Sequence, residues 1–154
     1  MQKYDIVALG GTFDIIHDGH MKLLSKAFAI SNKAIIGLTS DELAAKKGKN
    51  LLKNYHQRFE SLKSVIEKNF PKSSYEISKL ENDFGPAVIE GSVQALVVSK
   101  ETSIKGSLLN ELRSKGNLPP VEIVVVPMVL AKDGNTISTT RIKNSEIDSS
   151  GNLN

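Results

Sequence analysis

YDIVALGGTFDIIHDGH, residues 4–20, passes from an apolar run through a glycine pair into a stretch with helical periodicity. Tyr4–Gly10 reads as a strand, because Ile6, Val7, Ala8 and Leu9 form a short unbroken apolar run closed by glycine. Downstream, Leu23, Leu24, Ala27 and Phe28 recur at helical spacing, which predicts an amphipathic helix over Gly19–Ile30. A strand delivered into a helix through a tight turn is the first half of a βαβ unit, and the rest of the chain repeats that alternation.

Further candidate strands are Lys33–Thr39, Ser74–Lys79, Ala95–Ser99 and Val121–Pro127, each rich in Val, Ile or Leu as strands covered on both faces should be. Candidate helices are Asn54–Asn69, Phe84–Val93 and Ser103–Lys115, with a short one beginning near Ser138. Phe59, Leu62, Val65 and Ile66 form the apolar stripe of the second helix and belong to the core. The fold class is therefore α/β, with about five parallel strands and flanking helices. Residues 1–145 read as a single domain and 146–154 as a flexible polar tail. Ligands of such sheets bind beyond the carboxyl ends of the strands, which places the site near the ends of strands one and four.

The 154 residues are 40% hydrophobic and 24% charged, the composition of an ordinary globular chain with one core. Cysteine is absent, which excludes disulfides, thiolate metal sites and a cysteine nucleophile and suits a cytoplasmic setting. No apolar run approaches the roughly 18 residues of a membrane span, and neither a signal peptide nor a membrane partner is expected. The net charge of +3 is mild, and aromatic residues are only 5% and not interleaved with basic ones. A nucleic-acid partner is therefore not expected, and a small anionic ligand fits better.

Within GGTFDIIHDGH, Gly10 and Gly11 permit a tight turn and close approach of a ligand to the backbone, and Thr12 offers a hydroxyl where the chain leaves the sheet. His17 and His20 are three apart, so a helix starting near Asp18 brings both imidazoles to one side of its N-terminus. The dipole and free N–H groups there favour an anion, and the histidines add donors, a setting for electrostatic rather than nucleophilic catalysis. As a zinc site the pair lacks the i, i+4 spacing and has no third histidine apart from distant His56, so no metal ligands are assigned. The glycine and lysine spacing also differs from that of a dinucleotide-binding turn or a P-loop.

The run resembles the nucleotidyltransferase signature, a threonine-containing turn followed by H-x-G-H, shared by cytidylyltransferases and pantetheine-phosphate adenylyltransferases. The resemblance implies a Rossmann-like, doubly wound sheet in the strand order 3-2-1-4-5, with Gly10, Gly11, Thr12, Phe13, His17 and His20 at the nucleotide. ISTTRIK, Ile137–Lys143, resembles the family's second signature. There Ser138, Thr139 and Thr140 would cap a late helix whose N–H groups cradle phosphates, and Arg141 would clamp a phosphate with its two-pronged guanidinium. Thr139 stands where serine is expected and Lys143 where arginine is common, so only a contact needing a fork at 143 is put in question. A plain helix cap with a surface arginine is the bland alternative.

VSKET, Val98–Thr102, followed by Gly106, Asn110, Arg113, Gly116 and the stretch Leu118–Gly134, is similar to the archaeal and eukaryotic type of pantetheine-phosphate adenylyltransferase. Ser99, Glu101 and Thr102 fall where that family contacts adenosine, although Ser99 and Thr102 would also serve as helix caps. The polar, basic segment Asp41–Lys53 includes a short helix after strand two, and Lys46, Lys47 and Lys49 follow it where the acceptor's phosphate would arrive. Such charge runs are more often simply solvated. Arg58 is a further candidate for that phosphate, or else pairs with Glu60 or Glu67.

What the resemblance implies is transfer of AMP from ATP, with Mg²⁺ bound to the nucleotide, to 4′-phosphopantetheine, giving dephospho-coenzyme A and pyrophosphate. His17, His20, Thr12 and Arg141 are the expected catalytic residues. Two alternatives stay open: a CTP-dependent transfer to a small phosphorylated alcohol, and a nucleotide-binding protein without turnover. Lys132-Asp133-Gly134-Asn135 stands where glycerol-phosphate cytidylyltransferases carry an arginine-threonine pair, which favours ATP. Either a monomer or a small homo-oligomer fits the sequence.

Overall fold

The computed structural model describes residues 3–48, 51–81, 93–99 and 104–126, and in them strands and helices alternate as the sequence predicts. In chain order they are β1 (Tyr4–Gly11), α1 (Asp18–Ile30), β2 (Ser31–Thr39), α2 (Asp41–Lys46), α3 (Tyr55–Asn69), β3 (Tyr75–Leu80), β4 (Ala95–Ser99), α4 (Ile104–Lys115) and β5 (Glu122–Val126). Of the expected helix Phe84–Val93 all but Val93, together with the late helix near Ser138 and the tail from 146, lies outside the described residues.

Local chemistry sets the helix boundaries. Asn54 caps α3 by accepting the N–H of Gln57 at 2.9 Å, while the Gln57 side chain accepts the N–H of Asn54 at 3.0 Å. This reciprocal capping box satisfies two donors that the first turn would otherwise leave unpaired. Ser40 caps α2 in the simpler way, its hydroxyl accepting from the Leu43 N–H at 3.0 Å.

The five strands pair in parallel in the order β3-β2-β1-β4-β5. The chain moves outward from β1 to β2 and β3, then returns to the other side of β1, so the order reverses between β1 and β4. Such a reversal is where open α/β sheets bind ligands. β1 is zipped to β2 from Tyr4 opposite Ser31 as far as Gly11 opposite Leu38. Against β4 it pairs only at Val7–Ala95 and Ala8–Leu96, although β1 continues to Gly11 and β4 to Ser99. The main-chain groups at the carboxyl ends of both strands are thus released from the ladder between them.

Successive residues of a strand face opposite sides of a sheet, and here both sides are covered. Val7 and Leu9 of β1 join Leu24, Ala27, Ile36, Leu38, Leu62 and Ile66 beneath α1 and α3. Ala8 joins Ile35, Leu96, Val98 and Leu109 on the opposite face, beneath α4. At about 25 cal/mol per Å² of apolar area, each large side chain buried in these layers contributes about 1.5–3 kcal/mol.

Two arginines are wholly buried inside this apolar frame, Arg58 and Arg113. Arg113 donates from Nε to the carbonyl of Pro119 at 2.8 Å and from Nη2 to that of Val93 at 3.5 Å. Nearby, Asn110 and Val121 exchange hydrogen bonds of 2.8 and 3.2 Å. Asn110 and Arg113, which carry part of the family resemblance, therefore fix the end of α4 to the segments that lead into β4 and β5.

Candidate active site

At the carboxyl end of β1 the chain turns through Thr12–Ile16 and enters α1 at Asp18. His17 is the N-cap: its Nδ1 accepts the N–H of Gly19 at 3.0 Å. The N–H of His17 in turn donates to Nδ1 of His20 at 3.2 Å. The H-x-G-H run is thus a capping box made of two imidazoles, in which each histidine serves the helix through Nδ1.

That use of Nδ1 fixes the chemistry of the other nitrogen. A neutral imidazole accepting at Nδ1 carries its proton on Nε2, so both rings present an Nε2–H donor. The rings stack with centroids 3.9 Å apart and 27° between planes. Burial pulls His17 down to about 4, against the opposing pull of Asp18. At neutral pH His17 is therefore an uncharged donor at a helix N-terminus that already favours anions.

Gly19 is required by this arrangement, since a Cβ there would lie 2.8 Å from Cε1 and 3.0 Å from Nδ1 of His17. Gly10 and Gly11 meet a packing constraint as well. A Cβ on Gly11 would lie 3.0 Å from the Phe13 ring, and one on Gly10 3.3 Å from Leu80. Their Cα–H faces therefore also serve internal packing.

The side chain of Phe13, a residue expected at the nucleotide, is 1% exposed and belongs to the core under α1 and α3. Its ring lies 4.8 Å from that of His20, so it backs the imidazole. Phe13 also has φ of 51°, a left-handed conformation that a bulky residue rarely adopts.

Arg58, a candidate for the acceptor's phosphate, has its side chain wholly buried. Its guanidinium donates to the carbonyls of Lys53 at 3.2 Å, Thr12 at 3.0 Å and Thr39 at 2.7 Å, and to Oδ1 of Asp41 at 2.7 Å. Its carboxylate partner is therefore Asp41, not Glu60 or Glu67. Desolvation pushes the Asp41 carboxyl up, but hydrogen bonds from Arg58 and the Tyr55 N–H outweigh it and hold the group below its ordinary range.

Sequence reasoning missed Asp14, which is 3% exposed at the centre of the turn. Its two carboxylate oxygens accept the N–H groups of Leu52 at 2.9 Å and Lys53 at 3.0 Å. The available signal was a carboxylate set between apolar neighbours, Phe13 and Ile15, where a charge survives only with dedicated partners.

Thr12 sits half-buried at the carboxyl end of β1, and Ser99 half-buried at that of β4, on the two strands that flank the reversal of order. Lys46 ends α2 and Lys47 follows it, both exposed. Among the described residues no group of three or more His, Asp or Glu side chains could hold a metal ion, and no helix is long and apolar enough to cross a membrane. Glu101, Thr102, Ser138, Thr139, Thr140 and Arg141 lie outside the described residues.

A family described as cytidylyltransferase-like matches residues 8–145, which spans both histidines and the late signature. The chain is 43% identical over 150 residues to a phosphopantetheine adenylyltransferase of Methanosarcina acetivorans, covering 96% of this chain and 94% of the relative. It is 36% identical over 152 residues to a phosphopantetheine adenylyltransferase of Methanothermobacter thermautotrophicus, covering 99% and 91%. Among solved structures, one from Archaeoglobus fulgidus, described as a protein with unknown function, is similar at a TM-score of 0.71 and 30% identity, over 79% of this chain and 88% of that one.

Proposed function

The chain belongs to the cytidylyltransferase-like family and, within it, to the phosphopantetheine adenylyltransferases, and from that premise we propose how its geometry performs the transfer. It is a nucleotidyltransferase of coenzyme A biosynthesis that moves AMP from ATP to 4′-phosphopantetheine, giving dephospho-coenzyme A and pyrophosphate. An oxygen of the acceptor's phosphate attacks the α-phosphorus of ATP in line, a new P–O bond forms, the bond to the β-phosphate oxygen breaks, and pyrophosphate leaves. The attacking phosphate is already ionised, so the protein has to position it and stabilise charge rather than remove a proton.

The observation that carries this reading is the imidazole capping box at the N-terminus of α1. It supports two Nε2–H donors beside a positive helix end, that of His17 on a ring uncharged at neutral pH. His17 and His20 donate to phosphate oxygens on which charge builds up, and the turn at Gly10, Gly11 and Thr12 places the triphosphate. Ser138, Thr139, Thr140 and Arg141 hold the β and γ phosphates, and Ser99, Glu101 and Thr102 meet the adenosine. Lys46 or Lys47 receives the acceptor's phosphate.

Mg²⁺ bound with the triphosphate would supply neutralisation of charge on the leaving pyrophosphate. Engagement of Asp14 by two N–H groups and of Asp41 by Arg58 and the Tyr55 N–H fits a metal carried by the nucleotide rather than by a carboxylate cage at this turn. The protein works in the cytoplasm.

The test is incubation of the purified chain with Mg²⁺, 4′-phosphopantetheine and either ATP or CTP, with products identified by mass. Dephospho-coenzyme A formed from ATP is the expected product. A cytidylyl adduct in preference to it, or no pyrophosphate at all, would overturn the reading.

A further inference from the structure

Lys53 is gripped through its main chain from two sides. Its N–H donates to Oδ1 of Asp14 at 3.0 Å, and its carbonyl accepts from Nε of Arg58 at 3.2 Å. The neighbouring N–H of Leu52 donates to Oδ2 of Asp14 at 2.9 Å. Arg58 then reaches on through Nη1 to the carbonyls of Thr12 and Thr39, at 3.0 and 2.7 Å. The circuit closes through the covalent chain, because Thr12 and Asp14 are the two neighbours of Phe13.

Phe13 is the residue held at φ of 51°. A strained backbone persists only where its surroundings over-determine it, and here the residue before is held by its carbonyl and the residue after by its carboxylate. The consequence reaches the histidines. The Phe13 ring lies 4.8 Å from the ring of His20, which is stacked 3.9 Å from that of His17.

We propose that Asp14 and Arg58 are positioning residues, a buried clamp on Lys53 that holds Phe13 in its strained conformation and so sets the orientation of the two imidazoles. The kinetic part of this rests on the proposed transfer, whereas the geometric part does not. Neither residue need touch a substrate. The clamp also joins the turn of β1 to the segment that leads from α2 into α3, so the donor and acceptor sides of the site share one rigid joint.

The test uses Asp14→Asn, in which an amide cannot accept both N–H groups, and Phe13→Leu, which removes the ring but leaves the clamp. Each is made alone and combined with His20→Gln. Long-range ¹H–¹⁵N spectra of the imidazoles report the tautomer and surroundings of His17 and His20 without turnover. Both single variants are expected to shift those signals and to lower kcat about tenfold or more, with KM for ATP within about threefold. In the His20→Gln background the further loss should be under about twofold, because the clamp acts through the ring already removed.

Unchanged imidazole signals in either folded variant, or the same loss factor in both backgrounds, would overturn the proposal. Should Asp14→Asn fail to fold, Arg58→Lys, whose single ammonium cannot reproduce the guanidinium's span from Lys53 to Thr12 and Thr39, is read in its place by the same readouts. If the wild type turns over no substrate while the imidazole signals still respond, the clamp stands and the proposed transfer fails.

Discussion

The main-chain N–H of His17 donates to Nδ1 of His20 at 3.2 Å, and the two rings lie 3.9 Å apart, 27° from parallel. Each histidine is therefore a structural cap and a candidate donor at once, and an alanine substitution would confuse the two roles. Loss of a cap alone costs about 1 kcal/mol.

Glutamine separates them at position 20, because it is a natural partner at the third helical residue of a capping box. His20→Gln is expected to lower kcat by about 10²-fold or more, the scale of removing one preorganised donor. Thermal unfolding should stay within a few degrees of wild type, checked by circular dichroism beside steady-state assays. Turnover near normal would remove His20 from the catalytic set.

His17 makes a prediction about pH. Burial lowers its folded pKa to about 4 from an ordinary 6.5. Below the ordinary value the unfolded chain takes up a proton that the folded one does not accept until about 4, so the proton favours unfolding. The stabilisation is therefore complete above the unfolded pKa and is lost as pH falls toward the folded one. Tm should drop more steeply across that window in wild type than in His17→Asn, where asparagine keeps a cap acceptor but does not titrate. Parallel Tm profiles for the two proteins would contradict the assignment.

Gly19→Ala sets stability against activity. Alanine in place of glycine favours a helix by roughly 1 kcal/mol. Yet its Cβ would lie 2.8 Å from Cε1 of His17, and the ring must turn away. Turnover is expected to fall at least tenfold while Tm holds or rises, since a displacement near 1 Å at a reacting group can cost about 10²-fold. Kinetics on the purified variant check this directly.

How much of this was legible follows from the range over which each signal acts. The strands and helices were readable because apolar periodicity is local: Ala95–Ser99 forms as predicted and α1 begins one residue ahead of the predicted Gly19. The histidine pair was readable because both partners lie within one helical turn. The roles of Phe13, Asp14 and Arg58 were hidden because their partners are distant in sequence: Asp14 reaches Leu52 and Lys53, and Arg58 reaches Thr12. An arginine seen only against its own helix suggests Glu60 or Glu67 at the surface. Only the folded chain shows three carbonyls converging on it.

That difference between a buried and an exposed cation yields the last prediction, which opposes Arg58 to the lysines after β2. Arg58→Ala leaves the carbonyls of Thr12, Thr39 and Lys53 without their donor inside the protein. Each buried polar group so stranded costs about 1–3 kcal/mol, and a total near 3 kcal/mol should lower Tm by roughly 10 °C in a domain of this size. Lys46 and Lys47 are exposed, so Lys46→Ala with Lys47→Ala should leave Tm within about 2 °C. If they receive the acceptor, KM for 4′-phosphopantetheine should rise about tenfold while KM for ATP stays put, a selective loss of about 1.4 kcal/mol. The acceptor KM of the wild type should also climb with added salt, as exposed charges are screened beyond about 8 Å at physiological ionic strength, and that dependence should flatten in the double variant. Equal rises in both KM values, or an unchanged salt dependence, would show that these lysines only tune the general field of the surface and that the acceptor's phosphate is bound elsewhere.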